Sequence, residues 1–88
     1  MDPYNIVIKP VFSEAVYELI VDSGQNKLVF EVDRRSNKYQ IKEALEELYN
    51  IRITKVNTLI TPYGKKRAIV TLAPEYPAID LAAELNLF

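Results

Sequence analysis

The chain has 88 residues, 11 cations against 12 anions, a net charge of −1 and a hydrophobic share of 49 %. That describes a single folded domain over residues 1–88 with one modest core, and it argues against disorder or a second domain. Cysteine and histidine are both absent. This excludes disulfides, thiolate nucleophiles and zinc-ribbon sites, and removes the usual neutral-pH acid–base group, so neither catalysis nor a metal or cofactor is expected. No apolar run approaches the roughly 20 residues needed to span a bilayer, and Met1-Asp2-Pro3-Tyr4 lacks the apolar core of a signal peptide, so a cytoplasmic chain is expected.

In chain order, Tyr4 to Ile8 reads as a short strand closed by Lys9-Pro10, at a sheet edge because proline cannot donate to a ladder. Ser13 is a candidate N-cap for a helix carrying Val16, Leu19 and Ile20, ended by Asp22-Ser23-Gly24-Gln25-Asn26. Lys27 to Asp33 is the clearest strand, with Leu28, Phe30 and Val32 on one face and Val29, Glu31 and Asp33 on the other. Next, Asn37 and Gln40 have the spacing of a capping box, and Ile41, Ala44, Leu45, Leu48 and Tyr49 recur at helical intervals. The spacing predicts a helix over 38–50, with Lys42, Glu43, Glu46 and Glu47 on the face away from the core.

From Ile51 to Leu72, two β-branched runs flank Thr-Pro-Tyr-Gly-Lys-Lys-Arg, which reads as a hairpin with a cationic tip. Ile51 and Ile53 share one parity while Val56 and Ile60 have the other. Either a β-bulge near Thr54-Lys55 or a strand covered on both faces reconciles them. The second strand spans about Lys66 to Leu72. Pro77 suits the first turn of a last helix with a weak stripe of Ile79, Ala82, Ala83 and Leu85, and the terminal Leu87-Phe88 is expected to dock. The expected fold is α+β: a four-stranded, mainly antiparallel sheet layered with three helices, in the order strand, helix, strand, helix, strand, strand, helix.

Few residues offer chemistry. Glu43, Glu46 and Glu47 form a solvated helix face or an acidic docking surface, and with neither Cys nor His no nucleophile–base pair of that kind can be built. Two glycines are too few for a phosphate-cradling fingerprint. The cations are more telling. Lys65-Lys66-Arg67 lies at the hairpin tip, and Arg34-Arg35 at a strand end with Lys38 just beyond, while most acids fall on predicted helices. Loop cations approach phosphates closely, and arginine forks onto two oxygens. Asn57 and Thr58 offer short polar groups for sugar and phosphate, and Tyr39 and Tyr63 offer faces for a splayed base.

Val56-Asn57-Thr58-Leu59-Ile60, the Gly64-Lys65-Lys66 turn and Val32-Asp33-Arg34-Arg35 with Asn37-Lys38 resemble the large-ribosomal-subunit protein twenty-three family. Met1-Asp2-Pro3-Tyr4, Lys9-Pro10, Pro74-Glu75-Tyr76 and Leu87-Phe88 resemble its archaeal form. The resemblance implies a non-enzymatic protein that binds large-subunit ribosomal RNA beside the opening of the nascent-chain exit tunnel. It also implies partners: neighbouring ribosomal proteins including large-subunit protein twenty-nine, and the signal recognition particle or chaperones docking at the tunnel exit. Carried over by motif position, the RNA-contact candidates are Lys9, Arg34, Arg35, Lys38, Lys55, Asn57, Thr58, Lys65, Lys66 and Arg67. The family commonly carries Lys where Ala15 stands and a small or basic residue where Tyr63 stands. The alternative from another class is a stand-alone α+β protein-interaction module that captures its partner on a sheet edge.

Overall fold

The computed structural model describes residues 3–11 and 25–85. Its elements are α1 (Pro3–Ile6), β1 (Val7–Val11), β2 (Lys27–Val32), α2 (Lys38–Tyr49), β3 (Ile53–Ile60), β4 (Lys66–Leu72) and α3 (Ala78–Glu84). The strands form one sheet in the order β1-β2-β4-β3, antiparallel throughout. The α+β class and the four-stranded antiparallel sheet are as expected. The helices are not: among the described residues only α2 and α3 exceed one turn, against the three helices expected, and the helix from Ser13 lies outside the described residues, as do Leu87 and Phe88.

The first strand also starts later than expected. Proline at the first position of a helix loses nothing by its missing N–H, and Pro3–Ile6 forms a single helical turn. The Ile6 carbonyl then accepts Asp33 N–H (2.7 Å). Lys9 and Pro10, expected to close the strand, lie inside β1. Pro10 sits opposite Phe30 on an outer strand, where a missing donor leaves no central ladder broken.

β2 and β4 occupy the middle of the sheet and carry most of its core. Leu28, Phe30, Val32, Ala68, Val70 and Leu72 face α2, which returns Ile41, Ala44 and Leu45, all buried. Tyr49 stacks on Phe30 with ring centroids 5.7 Å apart. The alternation expected of β2 is there, but Val29 and Glu31 on its second face are buried too. A central strand is walled on both sides, and Val29 is flanked by Val11 and Ile69 in register.

α2 begins as its sequence requires. The Asn37 side chain accepts Gln40 N–H (2.9 Å), and the Gln40 side chain accepts Asn37 N–H (3.0 Å). It ends at Asn50, whose left-handed φ of 53° suits asparagine. One acid on its outer face is misplaced by the periodicity argument: Glu46 is half-buried and its Oε2 accepts Ile53 N–H (3.0 Å). The chain doubles back over 50–52 and presents that N–H to the helix.

The parity change in β3 is a bulge. Ile53 pairs with Leu72 and Lys55 with Thr71, so Thr54 is the extra residue, and its Oγ1 donates to the Thr71 carbonyl (3.3 Å). Ile53 and Val56 thereby both reach the core. Ile60 is half exposed because hairpin residues beyond Val56 run past the helical cover.

Pro77 stands one place before its expected position, as the N-cap of α3, and supplies no side-chain acceptor. The buried stripe of α3 is Ala78, Leu81 and Ala82 rather than Ile79 and Ala83, which are exposed. Its missing cap comes from 52 residues upstream: Asn26 Oδ1 accepts Ala78 N–H (2.5 Å). The same side chain's Nδ2 lies within donating distance of the carbonyls of Leu72 (3.0 Å), Ala73 (3.2 Å) and Tyr76 (3.3 Å). Asn26 also takes a left-handed φ of 56°. Replacing Asn26 with Ala is expected to cost about 2–4 kcal/mol, the combined loss of a cap and of donor bonds to buried carbonyls. Asn26→Asp keeps the cap acceptor but turns a carboxylate toward three carbonyls, so it should be no more stable than the Ala variant. Urea unfolding checks both, and a loss under about 0.5 kcal/mol for Ala contradicts this role.

Candidate nucleic-acid interface

Two loops meet at one end of the sheet. In the first, between β3 and β4, Gly64 N–H donates to the Thr61 carbonyl (2.9 Å) and Thr61 N–H to the Lys65 carbonyl (2.7 Å). Pro62 at the second turn position has the φ that a type I turn wants, and Gly64 takes φ +78° where a side chain would strain the backbone. Thr61 Oγ1 accepts Lys65 N–H (3.1 Å) and locks the exit. Tyr63 is left at the apex, 90 % exposed.

The second loop joins β2 to α2. The Asp33 carboxylate accepts Arg35 N–H (2.8 Å), and Ser36 N–H donates to the Asp33 carbonyl (3.1 Å), so Asp33 shapes the turn that presents Arg34 and Arg35 to solvent. Arg35 also forks loosely onto Asp33, at 3.4 Å to each oxygen. The Arg35 side-chain and backbone donors hold the Asp33 carboxyl below its ordinary value of 3.8, and Asp33 in turn raises Arg35. A depressed folded-state pKa gives stability that is present above the unfolded value and fades as pH falls through the folded one. Asp33 is therefore expected to titrate by NMR with a midpoint below 3.8 in the folded chain, and Arg35→Ala should move that midpoint upward. An unmoved midpoint contradicts the pairing.

The loops are tied together. Val32 pairs with Lys66 in the ladder, and Lys66 Nζ donates to the Ser36 carbonyl (2.5 Å). The Arg34 guanidinium reaches to 3.6 Å from the position a Gly64 Cβ would occupy. On the sheet face away from α2, Lys9, Glu31 and Arg67 stand in one row across β1, β2 and β4. Lys65 folds onto the same row, with Nζ 3.5 Å from Glu31 Oε1.

The sequence-derived candidates thus divide. Lys9, Arg34, Lys65 and Arg67 converge around Glu31, with Arg35 and Lys38 on the adjoining turn and helix start. Lys66 belongs to the same cluster, but its ammonium is engaged with Ser36. Lys55 and Asn57 lie farther along β3 on the face that carries Arg67, whereas Thr58, opposite Ala68, is on the other face. Glu31 is the participant that sequence reasoning missed. A glutamate inside Leu-Val-Phe-Glu-Val implies a cationic partner once the strand is buried, but the partner's identity depends on long-range register.

The cavity at the other end of the sheet is acidic. There the end of α2 and the start of α3 enclose a cavity of about 320 Å³ lined by Tyr49, Tyr76, Glu75, Asp80 and Glu84 among others. Arg52 approaches Glu75 at 4.0 Å. A seven-residue strand separates the two ends by about 20 Å. Among the described residues no cluster of acids is arranged to hold a metal, and no helix is long and apolar enough to cross a membrane.

A small α+β domain with a cation-edged antiparallel sheet is a binding architecture, in which two loops and a strand face present charge and aromatic faces to a partner. The family model described as Ribosomal protein L23 matches residues 5–80, and the chain belongs to that family. It is a large-subunit ribosomal protein, a structural component of a ribonucleoprotein engaged in translation, with ribosomal RNA and other ribosomal proteins as its class of partner.

Proposed function

We propose that this chain grips large-subunit ribosomal RNA with the end of the sheet where the two loops meet. Lys9, Arg34, Arg35, Lys38, Lys65 and Arg67 neutralise phosphates there, and Lys55 and Asn57 extend the contact along β3, while Thr58, on the opposite face, stands outside this surface. The observation that carries this reading is the sorting of charge: a chain of net charge −1 gathers these six cations around Glu31 at one sheet end, while Glu75, Asp80 and Glu84 line the cavity at the other. Loss of condensed counterions supplies the driving force. Within the same reading, the protein is an archaeal, cytoplasmic member that sits beside the nascent-chain exit tunnel next to large-subunit protein twenty-nine. Its acidic end stays open to the signal recognition particle or chaperones.

Sucrose-gradient fractionation of an extract, probed for this chain, tests the reading. The chain is expected with the large subunit and is expected to leave it as salt is raised. Recovery at the top of the gradient in low salt would instead indicate a stand-alone interaction module.

A further inference from the structure

Beside the row of Lys9, Glu31 and Arg67 lies a cavity of about 210 Å³, bounded by Ile8, Glu31, Arg34, Gly64 and Lys65 among others. It is smaller than the roughly 300–1,000 Å³ clefts that take drug-sized ligands, and matches one planar ring system. Its chemistry is unlike that of a phosphate cradle. Three cations stand around it, but Glu31, only 9 % exposed, puts a carboxylate into its lining. An ionised carboxylate repels phosphate and accepts up to about four hydrogen bonds. The Lys65 contact at 3.5 Å engages one oxygen.

We propose that this cavity receives a single unpaired guanine of the bound RNA, a proposal that rests on the RNA-binding reading above. Guanine is the one standard base whose Watson–Crick edge presents two adjacent donors, N1–H and N2–H, and these match the two oxygens of a carboxylate. Adenine and cytosine set an acceptor nitrogen beside their amine, and uracil flanks its one N–H with two carbonyls, so each points a lone pair at Glu31. Single-stranded RNA is read in this way, by splayed bases bonded on their edges and stacked on aromatic or guanidinium planes. Ile8, more than half exposed, supplies an aliphatic wall. Gly64 has no side chain to fill the space, and the Arg34 guanidinium lies close against it, placed to stack on a ring. Lys65 at the rim takes a phosphate beside the extruded nucleotide. Phosphate contacts set position, and the Glu31 contact sets identity.

The test uses the full chain and four RNA hairpins that differ only in one unpaired nucleotide, G, A, C or U. Anisotropy titrations across a salt series give affinity and slope for each. The guanine hairpin is expected to bind about tenfold more tightly than the other three. Glu31→Gln keeps the side chain's size but replaces one acceptor oxygen with a donor. It is expected to bring all four hairpins within about twofold of one another while binding stays salt-dependent. Equal affinities in the unaltered chain with a steep salt slope would overturn the guanine pocket and leave RNA binding standing, as would a guanine preference that persists in Glu31→Gln. Absence of salt-dependent binding to all four would overturn both.

Discussion

Arg34, Lys65 and Arg67 changed together to alanine are expected to lower affinity for the cognate ribosomal RNA by on the order of a hundredfold at physiological salt. Each phosphate contact contributes about 0.9 to the slope of log affinity against log salt. Three lost contacts therefore flatten the slope by about 2.7, and at 0.15 M that is roughly two decades of affinity. All three side chains are exposed, and none serves as a cap or core residue. Lys66 is left in place because its ammonium holds the Ser36 carbonyl, and removing it would loosen the junction between the loops. Filter binding across a salt series checks the result. A slope that stays as steep as the parent's contradicts the placement of the contact surface.

Phe30→Ala is expected to cost about 3–5 kcal/mol, the range for emptying a buried aromatic site. Phe30 is 0 % exposed at the centre of the sheet and carries the Tyr49 ring on its face. A domain of this size has a total stability of only about 5–15 kcal/mol, so the variant should sit close to its unfolding threshold at room temperature. Its urea midpoint should fall steeply, and RNA binding should fail with it. The RNA-surface triple variant should lose binding with a much smaller midpoint shift, that of leaving the Glu31 carboxylate without Lys65. A midpoint shift worth less than about 1 kcal/mol for Phe30→Ala would mean that the core is organised elsewhere.

Several elements were legible in the sequence because their causes are local. The Asn37–Gln40 box names its own helix start, Asn50 names its end, and the parity break marks Thr54-Lys55 as irregular, leaving the register with β4 to decide for a bulge over a strand covered on both faces. The elements that escaped are set by distant contacts. Nothing near Pro77 reveals that Asn26 caps α3. Glu46 looks solvated by periodicity and is claimed by Ile53 only because the chain turns back on the helix. Tyr4, Asn5 and Ile6 of α1 read as strand because Tyr and Ile favour β and nothing local shows the Ile6 carbonyl anchoring Asp33. The candidate interface divides in the same way. Arg34, Arg35 and the hairpin tip are visible as runs, but their meeting around Glu31 requires the order β1-β2-β4-β3, which is a property of the folded sheet.

The two outer strands have a bearing on the life of the chain before it meets RNA. β1 slips register between Val7 and Lys9 and carries Pro10, and β3 slips between Ile53 and Lys55 with a lysine at the break. Irregularities of this kind deny a second chain the straight row of donors and acceptors needed to extend a sheet. Both edges are thereby blunted against pairing with a second copy of the free chain, and smoothing them should shorten its shelf life in solution before it alters the assembled particle.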